Sequence, residues 1–557
     1  MKKKIIECVP NFSEGVDAHI VDQICAQISS VAQVKLLHVD MGRDTNRTVV
    51  TFAGEPEAVC EAAFLAVKKA QELIDMRQHK GAHPRIGATD VLPLVPISNI
   101  TLEETAVLAD RLGQRIAAEL DIPIYLYEAA AKVAARQNLA YCRSGEYEKL
   151  PQKLAQPDWQ PDYGPNAFTE TVARSGATVV GARHFLIAVN INLNTTSTRR
   201  ANAIAFDVRE KGRPMRENNQ LTGKVCLDAD GNTIMLPGTL KGTKAIGWYI
   251  EEYGMAQVSM NITDIEQTPL HIAFEEVRRK AEARGVRVTG TEIVGLVPKQ
   301  VMLDAGRYYL EQQQRSVGIP EREIIRMAER SMGLNELQSW DMDERILEYL
   351  LIHEDCPLIQ LSLADFVQET ARETAAPGGG SVSAYMGALG VSLGVMVANL
   401  SAHKRGWDER WQVFSHHAEQ GQYLLSELSH LVDEDTRVFN DVMRCYKMPK
   451  DGEASRKAYH KALEKANSQA ATVPLQTMRY CVKAIPLLQA MLELGNPNSL
   501  TDVKVGMVAL QAAVEGAYQN VRINVDGLRD LDAAEAMLVE AKQLRHTMRD
   551  FMHEHYK

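Results

Sequence analysis

Val34-Lys-Leu-Leu-His-Val-Asp40 and Arg47-Thr-Val-Val-Thr-Phe52 are two short runs of branched and apolar side chains with only a brief connection between them. Runs of this length and composition read as strands, and their closeness makes them consecutive. Ile5 to Phe12 precedes them as a further strand and Val91 to Ile97 follows. The stretches Asp17 to Ser29 and Pro56 to Ile74 carry the helical period. The resulting order is β-α-β-β-α-β, a split βαβ unit.

The next segment repeats that order without repeating the sequence. Phe185 to Leu193 reads as a strand, Ser197 to Glu210 as a helix, and Ala245 to Glu251 and Ala256 to Ile262 as strands. Pro269 to Arg284 is a helix and Val286 to Leu296 a strand. Gly212 to Thr243 interrupts this second unit and holds a hairpin signal around Asp230-Gly231. Its Asp228-x-Asp230-Gly231 spacing does not fit a calcium loop, because the glycine falls two positions early. Helices from Glu321 to Leu351 close the half, and Ile352 to Gln360, carrying Pro357, reads as a linker. Beyond it the helical period dominates: Ser362 to Glu373, Ser381 to Leu400, Asp408 to Cys445, Ser455 to Leu494 with a break near Pro474, Asp502 to Val525, and Leu531 to the end. The fold class expected is multidomain, with two α/β subdomains over 1–184 and 185–351, a linker over 352–360 and an all-α helical bundle over 361–557.

Length and composition agree with this division. A chain of 557 residues exceeds a single hydrophobic core. Its 24% charged and 45% hydrophobic residues exclude a disordered or fibrous protein. The net charge of −10 gives no global attraction to nucleic acid or an anionic membrane, so neither is expected as a partner. Eight scattered cysteines without a C-x-x-C pair point to reduced thiols in the cytoplasm and to no metal site. Gly378 to Ala402 has no acidic or basic side chain and is long enough to span a bilayer, but its many Gly and Ser residues favour a closely packed buried helix.

Chemistry concentrates in two places. His79-Lys80-Gly81-Ala82-His83-Pro84-Arg85-Ile86-Gly87 is a constrained loop ahead of a strand. Either histidine can move a proton near neutral pH while Lys80 and Arg85 hold an anion. In the helical half, Asp433 and Asp435 lie about 200° apart around one helix. Asp433 falls among Ser429, His430, Thr436, Arg437 and Asn440, and a solvated position is expected for it. Asp435 falls among Leu428, Leu431, Val432, Val438, Phe439 and Val442. A carboxylate on that stripe either titrates high enough for proton transfer or is held in a structural hydrogen bond. Asn520 and Asn524 interrupt the stripe of Leu510, Ala513, Val514, Ala517 and Val521, to bind a ligand edge or to join helices. Pro377-Gly378-Gly379-Gly380-Ser381 opens a helix, either to hold an anion or to give that helix room.

The opening Glu7-Cys-Val-Pro-Asn-Phe-Ser-Glu-Gly15, Asp40, Asn46-Arg-Thr48, the His79 to Gly87 loop, Asp162-Tyr-Gly-Pro165 and Gly181-Ala-Arg183 resemble the glutamate formimidoyltransferase family. Ala376-Pro-Gly-Gly-Gly-Ser381 and Val432-Asp-Glu-Asp435 resemble formimidoyltetrahydrofolate cyclodeaminase. Together they cover nearly the whole chain, in the domain order of the bifunctional family. The resemblance implies transfer of a formimidoyl group from N-formimidoyl-L-glutamate to N5 of tetrahydrofolate. Cyclisation to 5,10-methenyltetrahydrofolate with release of ammonia then follows. It implies tetrahydrofolate, in polyglutamylated form, as co-substrate, and a homo-oligomer acting on small molecules. His83 matches the family's transferase catalytic histidine and Asp435 its cyclodeaminase aspartate. Gly164-Pro165-Asn166-Ala167-Phe168 through Gly176 overlies its folate-binding segment.

The transfer chemistry suits these residues. A base must take the N5 proton and an acid must protonate the departing glutamate nitrogen, and one imidazole serves both in turn. Asp40 either orients that imidazole, binds the amidine cation, or is a turn residue ahead of Gly42. Arg47, Lys80, Arg85 and Arg183 are candidates for substrate carboxylates, and about two of the four are expected to serve. Two other readings stay open. One is formyl transfer with a helical half that hydrolyses methenyltetrahydrofolate; the other is a transferase carrying a non-catalytic helical scaffold.

Overall fold

The computed structural model describes residues 4–43, 45–81, 84–219, 223–351 and 356–556. They form two compact units: residues 4–304 with 332–351, and Ala305–Ser331 with 356–556.

The first unit opens with β1 (Ile5–Cys8), β2 (Asn11–Phe12), α1 (Ala18–Ser29), β3 (Val34–Gly42), β4 (Arg47–Gly54), α2 (Pro56–Leu73) and β5 (Thr89–Ser98). The single strand expected over Ile5 to Phe12 is divided at Val9-Pro10, because Pro10 has no N–H for the ladder. α3 (Leu102–Leu120), β6 (Ile124–Glu128), α4 (Leu139–Cys142), α5 (Leu150–Leu154), α6 (Glu170–Ser175) and β7 (Thr178–Ala182) then extend the sheet. Its order is β3-β4-(β1, β2)-β5-β7-β6, antiparallel as far as β5 and parallel from β5 through β7 to β6. The parallel extension lies outside the split βαβ expectation. A signal for it was present: Thr101 and Glu104 form a capping box at the start of α3, with the Thr101 hydroxyl accepting from the Glu104 N–H at 3.2 Å.

The second subdomain holds β8 (Ile187–Leu193), α7 (Thr198–Val208), β9 (Arg213–Pro214), β10 (Met235–Leu236), β11 (Thr243–Ile250), β12 (Met255–Ile262), α8 (Leu270–Glu282) and β13 (Val288–Val294). The sheet order β11-β12-β8-β13 places the first long strand between the third and fourth, as β1 lies between β4 and β5 in the first subdomain. The insertion folds as the short β9–β10 pair and a turn bridged from Leu227 to Thr233. Asp228 closes that turn on itself, accepting from the Asp230 and Asn232 N–H groups at 3.0 and 2.8 Å. Then come α9 (Lys299–Gln312), α10 (Glu321–Met332), α11 (Met342–Arg345) and α12 (Leu347–Leu351). Residues 352–355 of the linker expected over 352–360 lie outside the described residues.

The helical unit contains α13 (Leu363–Thr370), α14 (Gly379–Ala402), α15 (Trp411–Tyr446), α16 (Glu453–Lys483), α17 (Ile485–Leu494), α18 (Leu500–Val525) and α19 (Leu531–His555). α14 is long and apolar enough to cross a membrane by length and composition, yet 61% of its most apolar window is buried among the other helices. It approaches α18 so closely that a Cβ on Gly390 would lie 2.8 Å from the Gly506 carbonyl oxygen. Ala305–Ser331, placed with the α/β half by the sequence boundaries, packs into this unit. Ser415 Oγ accepts from the Val317 N–H at 3.0 Å and Asn399 donates to the Gly318 carbonyl at 2.8 Å.

The break expected near Pro474 is corrected. α16 runs unbroken through Pro474, and the chain breaks at Ala484, ahead of Pro486 in the first turn of α17. A proline inside a helix strands the carbonyl four residues earlier. Here that carbonyl, on Ala470, accepts from Asn524 Nδ2 at 2.7 Å.

Candidate active sites

Strand alternation builds the first site. In β1, β4 and β5, the side chains of Ile6, Cys8, Val50, Phe52, Leu92 and Leu94 enter the core under α1, α2 and α3. Those between them point to the opposite face. Glu7, Val9, Asn11, Arg47, Val49, Thr51, Val91 and Pro93 therefore line a cleft of about 350 Å³. His38 and Asp40 of β3 join them, as do Tyr127, Arg143 and Arg183. Ala188, Asn261 and Val294 from the second sheet close the far side. The structure thus brings together three of the expected residues, Asp40, Arg47 and Arg183.

Glu7 and Arg143 were not singled out from sequence. Glu7 is 2% exposed, and burial pushes its carboxyl up to about 7, with Arg183 opposing and Glu348 adding to the rise. The available signal was a charged residue between Ile6 and Cys8 in a buried strand. Arg143 is bonded to Asp90, a fully buried carboxylate that also accepts from the Ile86 N–H at 3.0 Å.

The described residues of the His79 to Gly87 loop are held by hydrogen bonds at both ends. His79 Nδ1 accepts from Arg85 Nε at 3.2 Å, which leaves the ring proton on Nε2 to donate to the Asn46 carbonyl at 2.8 Å. His79 is thereby a structural residue. Arg85 is buried and committed to Glu146 at 3.1 Å and Glu148 at 2.7 Å. Lys80 is exposed, and its carbonyl accepts from Asn46 Nδ2 at 2.8 Å. At the other end Gly87 bridges Gly176, whose φ of 67° and contact with the Ile86 backbone exclude a side chain. His83 lies outside the described residues.

That bridge brings the Gly164 to Gly176 segment against the loop rather than into the lining of the cleft. Gly164, with φ 88°, packs on the Ile122 carbonyl. Asn166 donates to Gln160 Oε1 at 3.2 Å, and Pro165 and Ala167 continue a mostly exposed run. The half-exposed Phe168 ring lies 6.2 Å from that of Tyr147.

In the helical unit Asp435 meets the start of α14. The N-cap, Gly378, has no side chain to satisfy the first N–H groups of that helix, and Asp435 of α15 takes its place. Its Oδ2 accepts from the Ser381 N–H at 2.9 Å and the Ser381 hydroxyl at 3.3 Å. A Cβ on Gly380 would overlap the carboxylate, and one on Gly379 would lie 3.4 Å from Asn520 Nδ2. Gly378, Gly379, Gly380, Ser381, Asp435 and Asn520 therefore form one cluster, and the anion held at this helix start is Asp435 itself. Burial pushes the Asp435 carboxyl up, against the two Ser381 hydrogen bonds that pull it down. Asn524 is not part of the cluster, being bonded to Ala470.

The solvated position expected for Asp433 is corrected. Asp433 is buried and accepts from the Leu358 and Ile359 N–H groups at 2.7 and 3.1 Å. A helical wheel registers only helical neighbours, and here the covering partner is an irregular segment. Among the described residues no three His, Cys, Asp or Glu side chains gather as a metal site.

The sequence matches three family profiles. They are described as formiminotransferase domain, N-terminal subdomain, over residues 5–183; formiminotransferase domain, over 188–352; and formiminotransferase-cyclodeaminase, over 362–543. It is 41% identical over 529 residues to a formimidoyltransferase-cyclodeaminase of Rattus norvegicus, covering 95% of this chain and 93% of that one. It is 41% identical over 308 residues to a glutamate formimidoyltransferase of Streptococcus pyogenes, covering 55% of this chain and 94% of the relative. A methenyltetrahydrofolate cyclohydrolase of Methylorubrum extorquens is 31% identical over 183 residues, covering 33% of this chain and 88% of the relative.

Proposed function

This chain belongs to the formimidoyltransferase-cyclodeaminase family, and from that premise we infer which residues carry each of its two reactions. It is a bifunctional enzyme. One activity moves the formimidoyl group of N-formimidoyl-L-glutamate to N5 of tetrahydrofolate. The other closes 5-formimidoyltetrahydrofolate to 5,10-methenyltetrahydrofolate and releases ammonia.

We assign transfer to the α/β unit. His83 takes the N5 proton as N5 attacks the formimidoyl carbon, then returns a proton to the glutamate nitrogen as the C–N bond breaks. Asp40 faces the cleft and pairs with the amidinium of the donor. Arg47 and Arg183 in the lining fit the carboxylates of a folate tail. That fit supports a polyglutamylated co-substrate. Arg85 acts at one remove, holding the loop through Glu146 and Glu148.

Cyclodeamination falls to Asp435, and the observation that carries this is its desolvated carboxylate at the start of α14. Ring closure requires N10 to lose a proton and the departing nitrogen to gain one. A carboxylate raised by burial can accept and return that proton near neutral pH, whereas a solvated one near pKa ~4 is too weak a base. Asn520 beside Gly379 is placed to orient the folate. We further propose that neither step uses a metal and that the enzyme is a cytoplasmic homo-oligomer.

The test is an assay of the purified chain with N-formimidoyl-glutamate and tetrahydrofolate, following methenyltetrahydrofolate and ammonia together, with and without chelator. Equal yields of both products, insensitive to chelator, support the reading. Hydrolysis of supplied methenyltetrahydrofolate without any ammonia release would favour the cyclohydrolase alternative.

A further inference from the structure

The turn between β3 and β4 meets two other segments of the α/β unit at Asn46. The φ of this residue, 45°, lies in the left-handed region, which Gly, Asn and Asp enter most easily. Its Oδ1 accepts from the Gly15 N–H at 2.9 Å, and its Nδ2 donates to the Lys80 carbonyl at 2.8 Å. Its own carbonyl accepts from His79 Nε2 at 2.8 Å. The two side-chain partners, an N–H and a carbonyl, fix which way the amide points. Of the three residues that suit this backbone, only Asn can both accept from Gly15 and donate to Lys80.

The chain around these bonds is packed backbone against backbone. A Cβ on Gly15 would overlap the Gly42 carbonyl oxygen and the Arg47 nitrogen, and one on Gly81 would overlap the Thr45 carbonyl oxygen. The turn is therefore held between two glycines, with Asn46 bonded to the segment on either side. In one direction it leads into Arg47, which lines the cleft. In the other it holds Lys80, and Gly81 beyond it stands two residues ahead of His83 in the sequence. The far end of the loop is tied to the same point, because Arg85 Nε donates to Nδ1 of the His79 ring that bonds Asn46.

We propose that Asn46 is a positioning residue for formimidoyl transfer: through Lys80 it sets the entry of the loop that carries His83 against the turn that carries Arg47. The inference rests on the assignment of transfer to His83 and deepens it. Proton transfer is steep in distance, and a misplacement of about 1 Å can cost about 10²-fold in rate. Loss of the tie to Lys80 should therefore act on the chemical step, while the groups that bind substrate keep their places.

Asn46→Asp suits the turn and keeps the bond from Gly15, but it faces the Lys80 carbonyl with an oxygen. Asn46→Gly suits the turn and loses both side-chain bonds. Each is made in the full chain, checked by circular dichroism and thermal unfolding, and assayed with N-formimidoyl-glutamate and tetrahydrofolate. Both should lower the kcat of transfer about 10- to 100-fold, with KM for each substrate within about twofold of wild type. Deamination of supplied 5-formimidoyltetrahydrofolate should keep its wild-type rate. A residue that serves only the fold would lower thermal stability and leave kcat of the folded chain unchanged, and that result overturns the proposal. A rise in KM at unchanged kcat overturns it as well, as does failure of both variants to fold. A loss of kcat in Asn46→Gly alone would place the effect at Gly15 and overturn the route through Lys80. His83→Ala in the same assay tests the underlying assignment separately: transfer that survives in it removes His83 from the reaction, whatever the Asn46 variants do.

Discussion

The side-chain amide of Asn524 donates to the carbonyl of Ala470 at 2.7 Å, supplying the hydrogen bond that Pro474, four residues further along α16, cannot make. One helix thus repairs a neighbour, and α16 stays continuous where its sequence predicts a break. The same bond resolves the alternative posed for Asn524 in favour of joining helices.

Removing the amide should therefore destabilise the helical unit only while the proline is present. Asn524→Ala should cost about 1–3 kcal/mol for the carbonyl left unsatisfied. In a Pro474→Ala background residue 474 regains its N–H, and the same change should cost much less. Urea unfolding of the four chains, followed by circular dichroism, gives the coupling directly. Equal costs in both backgrounds would mean that Asn524 has another task.

Asp433 and Asp435 should separate into stability and chemistry. Asp433→Asn weakens the anchorage of the Leu358 and Ile359 N–H groups and should lower stability by about 1–3 kcal/mol. The ammonia release rate of the folded fraction should remain near wild type. A rate loss of a hundredfold in a chain of unchanged stability would reverse the assignment of the two carboxylates.

Glu7 should make the α/β unit sensitive to pH. Its folded pKa of about 7 lies above the ordinary 4.5, so between these values the folded chain keeps a proton that the unfolded chain has lost. The resulting stabilisation is fully present below about pH 4.5 and is lost as pH rises through 7, a difference of about 3 kcal/mol. Glu7→Gln, which stays neutral, should match wild type in thermal stability near pH 5 and exceed it at pH 8. An identical difference at both pH values would show that Glu7 does not titrate in that window.

Much of this was legible in the sequence, and the misses share a cause. The two β-α-β-β-α-β runs and the long helices follow from local periodicity, and the structure contains them. Strands β6 and β7 escaped because they pair in parallel across long connections and lack the closely spaced partner that made Val34 to Phe52 readable. Helical phase placed Asp435 on its stripe but put Asp433 in solvent, because its neighbour is the irregular chain at Leu358. Glu7 and Arg143 became candidates only once strand pairing and packing gathered distant segments around a common cleft.

The central claim is that two separate sites serve two reactions, with Asp435 carrying only the second. It is tested most directly by giving the folded Asp435→Asn variant N-formimidoyl-glutamate and tetrahydrofolate, and measuring glutamate and ammonia in the same reaction. Glutamate should be released at the wild-type rate while ammonia release falls by roughly 10² to 10⁴, the effect of a lost acid–base group. The intermediate, 5-formimidoyltetrahydrofolate, should accumulate, and His83→Ala should show the converse: no glutamate release, with intact deamination of supplied intermediate. Loss of glutamate and ammonia release together in a folded Asp435→Asn chain, or ammonia release undiminished, would contradict the account.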